Sequence, residues 1–158
     1  MNTIERFIKR AFDFSLALIS LLVFSPLIAL IALLIKWEDP KGDVIYKQER
    51  IGYKGRPFIL YKFRSMRMDA EANNSPQLFT DGDSRLTKVG AFIRAHHLDE
   101  FPQLWNVIKG EMSFVGPRPE RQFFIDQIME HNPDYTRLYA VRPGLFSYAT
   151  LYNGYTDT

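Results

Sequence analysis

The sequence predicts an α+β, mostly helical chain with an N-terminal membrane helix broken at Ser25-Pro26, a small β-hairpin and several short helices. Three observations carry that prediction: an uncharged run from Phe14 to Ile35, a strand–turn–strand pattern between residues 44 and 64, and short apolar-periodic segments punctuated by proline and glycine farther on.

Composition sets the bounds. The chain has 158 residues, 46% of them hydrophobic, and a formal charge of +2, enough for one globular core and too apolar for charge-driven disorder. So small a net charge points away from nucleic acid as a partner. With no cysteine and three histidines, a disulfide framework, thiolate metal sites and a cysteine nucleophile are excluded, and a histidine-built metal site has little to draw on. The charge is uneven: residues 1–70 carry twelve basic and seven acidic side chains, whereas 71–158 carry eight and eleven.

The apolar run has 22 residues, which as a helix at ~1.5 Å per residue reach roughly 33 Å, about the thickness of a bilayer's hydrocarbon. It is longer than a signal-peptide core and lacks a small-residue cleavage site before Lys36. Arg6, Lys9 and Arg10 flank one end and Lys36, Lys41 and Lys47 the other, so both ends read as cytoplasmic. Pro26 removes a backbone donor, and Ser25 beside it can satisfy freed carbonyls. A break there would give two arms that enter and leave one membrane face, while a kinked spanning helix remains the alternative.

Beyond Trp37, Asp39-Pro40-Lys41-Gly42 reads as a closing turn. Val44–Tyr46 and Phe58–Arg64 read as strands of a hairpin around Gly52…Gly55-Arg56-Pro57, which places Lys62 and Arg64 on one face. Residues 69–84 read as loop and 86–97 as helix. Pro102–Lys109 reads as a short helix that Gly110 stops, with Asp99-Glu100 at its start, and 120–131 as a helix with Phe124, Ile125, Ile128 and Met129 on its apolar stripe.

Chemistry gathers at the adjacent acids. A carboxylate at a helix start is a common cap, yet Asp99 and Glu100 could also supply an anionic nucleophile and hold a divalent cation. Arg94 precedes them by about one turn, and Arg118 sits in a rigid Gly-Pro-Arg-Pro turn, where a planar guanidinium suits phosphate. Lys62, Arg64, Arg67 and Arg142 are further candidates, competing with a role at anionic lipid headgroups. Asp81-Gly82-Asp83 has the Asp-x-Asp spacing of a metal–nucleotide grip, although Asp-Gly is also ordinary turn chemistry. Walker A, GxGxxG and GxSxG motifs are missing from the sequence.

These segments together resemble one family, the bacterial sugar transferases or monotopic polyprenol-phosphate phosphoglycosyl transferases. The likeness runs from about residue 7 to 144. It rests on the apolar segment with Ser25-Pro26, on Lys62-Phe63-Arg64-Ser65-Met66, and on Asp83-x-Arg85-x-Thr87-x-x-Gly90. Its most specific part is Leu98-Asp99-Glu100-Phe101-Pro102-Gln103-Leu104-Trp105-Asn106-Val107, continuing through Gly110 to Glu120.

The resemblance implies transfer of a sugar-1-phosphate from a UDP-sugar to polyprenol (undecaprenyl) phosphate with release of UMP, starting membrane glycoconjugate or exopolysaccharide synthesis. It implies Asp99 as the nucleophile that carries the phosphosugar and Glu100 as its partner in holding Mg²⁺. Arg118, Arg94, Lys62, Arg64, Arg85 and Arg142 are the expected phosphate contacts. It also implies residues 1–38 as a re-entrant membrane-anchoring helix among lipids and 39–158 as a catalytic domain on the cytoplasmic face of the bacterial inner membrane. Pairing with a second copy stays open.

The chain departs from the family pattern at His97, where a small polar residue is usual, and at Phe101, where leucine is. It departs again after Gly144, which Leu145-Phe146-Ser147-Tyr148-Ala149-Thr150 follows. Because family members continue beyond Thr158, a C-terminally truncated chain is expected. Two other functions compete: a metal-dependent glycosyltransferase that uses Asp81 and Asp83 and releases UDP, and a non-enzymatic membrane scaffold in which Asp99 and Glu100 only cap a helix.

Overall fold

The computed structural model describes residues 2–68, 70 and 83–147. Helix α1 (Thr3–Glu38) leads into the antiparallel hairpin of β1 (Ile45–Ile51) and β2 (Pro57–Phe63), paired from Ile45↔Phe63 to Ile51↔Pro57. Then come α2 (Lys88–Ala95), a 3-10 turn (Leu98–Glu100), α3 (Gln103–Lys109), β3 (Ser113–Val115), α4 (Gln122–His131), a 3-10 segment (Pro133–Ala140) and β4 (Gly144–Phe146). β3 and β4 pair in parallel. The chain is therefore α+β and mostly helical, as expected. Asp81 and the loop expected around it lie outside the described residues, as does the segment that follows Ser147.

α1 starts on a capping box, in which Asn2 accepts from the Glu5 backbone and Glu5 reaches back to the Asn2 backbone. The expected break at Ser25-Pro26 does not interrupt it. Pro26 cannot donate to the carbonyl four residues earlier, Leu22, but the Ser25 hydroxyl donates to that same carbonyl at 2.8 Å. The orphan created by proline is thus satisfied one residue away, and the helix continues.

Both ends of α1 are fastened to the same body. Near its start, the Arg10 guanidinium donates to the Val107 and Ile108 carbonyls, and Asp13, 3% exposed, accepts from Lys9, the Ser113 hydroxyl and the Phe114 backbone. At its end, Lys36 donates to the Gly42 carbonyl and Glu38 accepts from the Lys88 and Val89 backbone, capping α2. Between these ties, Ala17 packs with Leu60, Leu104, Val107 and Met112, while Ile31 and Ile35 pack with Phe63 and Ile93. Residues 22–26 are exposed in succession, with the Phe24 ring against that of Phe101 at 5.2 Å. The helix is long and apolar enough to cross a membrane, and only 11% of its most apolar stretch is buried.

Close packing makes Gly90 indispensable. A Cβ there would collide with the Ser65 carbonyl, which is backbone and cannot swing aside. Gly90→Ala is expected to cost about 2–3 kcal/mol in chemical denaturation, because α2 must lift off the strand exit at Ser65. α4 is less buried than its stripe suggests: of its apolar side chains Ile125 is enclosed, whereas Met129 and Phe123 face outward.

Candidate active site

Residues 96–100 turn sharply before α3. His97 takes a left-handed backbone (φ 55°), so Leu98–Glu100 form their own 3-10 turn and α3 starts only at Gln103. The acids therefore sit one turn ahead of α3 rather than on its first turn. Burial and the cationic side chains drawn in from β2, α2 and the loop after β3 act on them in opposite directions.

The two acids have different surroundings. Glu100 meets the Lys62 ammonium at 2.9 Å and the Arg118 guanidinium at 4.0 Å. Burial raises its pKa, but Lys62 and Arg118 outweigh that and hold it below the usual glutamate range. Asp99 is 4% exposed, and its carboxylate accepts no hydrogen bond from any described residue. Burial is the largest influence on it and the Glu100 charge adds to it, so its pKa lies above the ordinary aspartate value in spite of Lys62, Arg94 and His97.

Each expected cation finds a definite place. Lys62 projects from β2 onto Glu100. Arg94, in the last turn of α2, stands in the fields of Asp99, Arg118, Asp83 and Glu100. Arg118 lies between Glu100 and Glu120, and Glu120 is itself clamped by Arg50, which also donates to the Pro119 carbonyl. That clamp fixes the Pro-Arg-Pro turn. Arg85 forks onto both oxygens of Asp83 and drives its pKa down to about 2. Asp83 is thereby engaged by an arginine.

Two candidates go elsewhere. Strand β2 ends at Phe63, and Arg64, 7% exposed, turns its guanidinium to Asp39 at the foot of α1, so it does not share Lys62's destination. Arg142 donates to the Gly110 carbonyl at 2.8 Å and lies over the Tyr53 ring, bracing the α3 stop against the hairpin turn. Both act here as ties within the fold. The sequence reasoning missed Asn106 and the Arg50–Glu120 clamp, which position the site from behind; an asparagine in mid-helix was the one available sign of the first.

Asp99 and Glu100 form a two-carboxylate set, and the described residues hold no group of three metal-ligating side chains. A set of that size suits a hard cation shared with substrate phosphates rather than enclosed by protein.

A family model described as bacterial sugar transferase matches residues 4–158, beyond the stretch of residues 7 to 144 that carries the motifs. The chain belongs to that family. It is similar to a UDP-N-acetylgalactosamine-undecaprenyl-phosphate N-acetylgalactosaminephosphotransferase of Aeromonas hydrophila, 45% identical over 154 residues, 98% of this chain and 36% of the relative. It is also similar to a putative undecaprenyl-phosphate N-acetylgalactosaminyl 1-phosphate transferase of Bacillus subtilis, 48% identical over 82% of this chain and 72% of the relative. A UDP-glucose:undecaprenyl-phosphate glucose-1-phosphate transferase of Escherichia coli is 40% identical over 100% of this chain and 34% of its own length. The chain thus spans about a third of the Aeromonas and Escherichia relatives.

Proposed function

We propose that the chain is the phosphoglycosyl transferase unit of a membrane enzyme that moves a sugar-1-phosphate from a UDP-sugar to undecaprenyl phosphate and releases UMP, initiating glycan assembly. The observation that carries this reading is Asp99: a buried carboxylate that accepts no hydrogen bond from any described residue, set against Lys62, Arg94 and the Glu100–Arg118 pair. An acid used as a cap would be satisfied by backbone N–H groups. This one keeps its lone pairs for an electrophile.

In the first step an Asp99 oxygen attacks the sugar-linked phosphorus, the bond to the bridging oxygen breaks, and UMP departs with that oxygen. In the second, an oxygen of undecaprenyl phosphate attacks the same phosphorus and the bond to Asp99 breaks, restoring the carboxylate. Arg118 and Arg94 offset charge on the phosphates and Lys62 holds Glu100 in place, so electrostatics and positioning supply the acceleration that a weak nucleophile cannot. Asp99 and Glu100 would hold Mg²⁺, which when bound neutralises diphosphate charge.

A re-entrant placement of α1 on the cytoplasmic face of the bacterial inner membrane completes the proposal, with 1–38 as anchor and 39–158 as catalytic unit. The ties at Lys9–Asp13 and at Lys36–Glu38 lead to one body, whereas a spanning helix would put about 30 Å of hydrocarbon between its ends. The exposed stretch of α1 at 22–26 would then be the part that dips deepest into lipid.

The test is nucleotide release from protein in lipid nanodiscs with Mg²⁺, undecaprenyl phosphate and a panel of UDP-sugars. UMP is the expected product, and UDP would instead indicate glycosyl transfer through Asp81 and Asp83. Release of neither nucleotide from the folded full-length protein would leave the scaffold.

A further inference from the structure

Two guanidinium groups meet at the residue that stops α3. Arg10 of α1 donates to the Val107 and Ile108 carbonyls and lies beside Gly110, where an added Cβ would come within 3.2 Å of its Nη2. Arg142, just before β4, donates through Nε to the Gly110 carbonyl. A helix C-terminus attracts cations, so three carbonyls explain why the arginines gather here. They do not explain what balances the charge. Carbonyls are neutral, and the acids adjoining these segments are engaged elsewhere, Asp13 by Lys9 and Glu111 by Lys109. Arg10 stands more strongly in the field of Arg142 than in that of Asp13.

The excess extends beyond the pair. Arg6, four residues before Arg10 and so on the same face of α1, is exposed. Lys54 lies 5.3 Å from the centre of the Tyr53 ring, which Arg142 also overlies at 5.4 Å. None of these four cations forms an ion pair among the described residues. Both Nη groups of half-buried Arg142 also lack an acceptor among the described residues. A guanidinium held at Nε with its terminal nitrogens spare is a fork suited to phosphate.

Position in the fold says which phosphate. Arg10 precedes Phe14, where the apolar run begins, by about one turn and lies over its ring at 5.8 Å. With α1 in the membrane as proposed above, that is the depth of the lipid headgroups, whether the helix re-enters or spans. The seven residues of α3, roughly 10 Å of helix, separate the cluster from the turn that bears Asp99. A phosphate held here is thus away from the reacting centre.

We infer that Arg10 and Arg142, with Arg6 and Lys54 beside them, hold the phosphate of an anionic phospholipid headgroup at a site separate from the catalytic one. The inference rests on the membrane placement of α1 in the proposed function, and adds a lipid that joins the first arm of α1 to the end of α3. A zwitterionic headgroup brings its own cation with its phosphate, so the uncompensated charge selects a headgroup of net negative charge.

Full-length protein would be placed in nanodiscs of equal parts POPC and POPG, extracted mildly, and its retained lipids counted by native mass spectrometry. Wild type should retain POPG over POPC by about tenfold or more, since each basic side chain near a membrane surface contributes roughly fivefold. Arg142→Gln, which keeps an amide donor for the Gly110 carbonyl, and the exposed Lys54→Ala should each lower that ratio by about fivefold. Lys41→Ala removes an equal charge beyond the other end of α1 and should leave it within about twofold. Equal loss in Lys41→Ala would mean diffuse attraction to a basic surface, and a wild type without preference would mean that the α3 carbonyls suffice; either overturns the inference. Thermal unfolding in discs of POPC alone supplies a second arm. Inorganic phosphate should leave the midpoint there unchanged, and a rise that Arg142→Gln abolishes would put a free anion in the site and overturn the lipid. Lipid retention needs no turnover, so POPG retained by a wild type that releases no UMP supports the lipid site and counts against the proposed reaction alone.

Discussion

Asp99→Asn is expected to make the protein more stable at pH 7 and to abolish its turnover. Burial is the main reason that the Asp99 pKa is raised in the folded chain. Between the ordinary aspartate value and the raised one, the folded state holds a proton that the unfolded state has lost. Stability contributed by the protonated acid is therefore lost as pH rises through that window, and above it the ionised side chain is a standing cost to the fold. Asparagine carries no charge and removes that cost, so the melting temperature should rise. Turnover should fall by at least about 10³-fold, since asparagine cannot form the phosphosugar bond. Wild-type kcat should decline on acidification through a pKa above the ordinary aspartate value, because only the ionised carboxylate attacks. UMP release and thermal unfolding of the two proteins, each across pH, check all three expectations. A helix-capping role has the opposite signature: the variant would lose stability and leave nucleotide chemistry untouched.

That opposition shows where a sequence stops being informative. The acids, the Pro-Arg-Pro turn and the Gly110 helix stop are legible because each needs a particular residue type at a particular place; Gly110 indeed takes φ 83°. The hairpin is legible from its apolar runs and its turn. What Arg64 and Arg142 do is not, since a cation's partner is set by where the fold brings other segments: Asp39 for one and the Gly110 carbonyl with the Tyr53 ring for the other. The β3–β4 pair escaped for a related reason, being three residues on each side and joined only through a long connection. Continuity of α1 past Pro26 depended on one hydroxyl bond, which the sequence permits but does not require. Nothing in the sequence around Asp13 marks Ser113, a hundred residues on, as its partner.

Asn106 is the costliest of these unread positions to change. Its side chain is fully enclosed in α3, donates to the Ile59 carbonyl at 2.6 Å and to Glu111 at 2.7 Å, and accepts from the Tyr61 backbone at 3.1 Å. Ile59 and Tyr61 are alternate residues of β2, which bears Lys62 one position farther on. The amide thus stands where a neighbouring strand would, satisfying one donor and one acceptor of β2 and binding α3 to it. Asn106→Ala would leave that N–H and that carbonyl unpaired next to a small cavity. At about 1–3 kcal/mol for each stranded group, the loss should reach about 3–5 kcal/mol in chemical denaturation. Trp105→Ala, at a neighbouring exposed position, should cost far less. Because β2 carries Lys62 to Glu100, kcat of the Asn106 variant should also fall, even where the protein remains folded. A cost below about 1 kcal/mol would mean that water can take the place of the amide between α3 and β2, and that Lys62 is positioned by the hairpin alone.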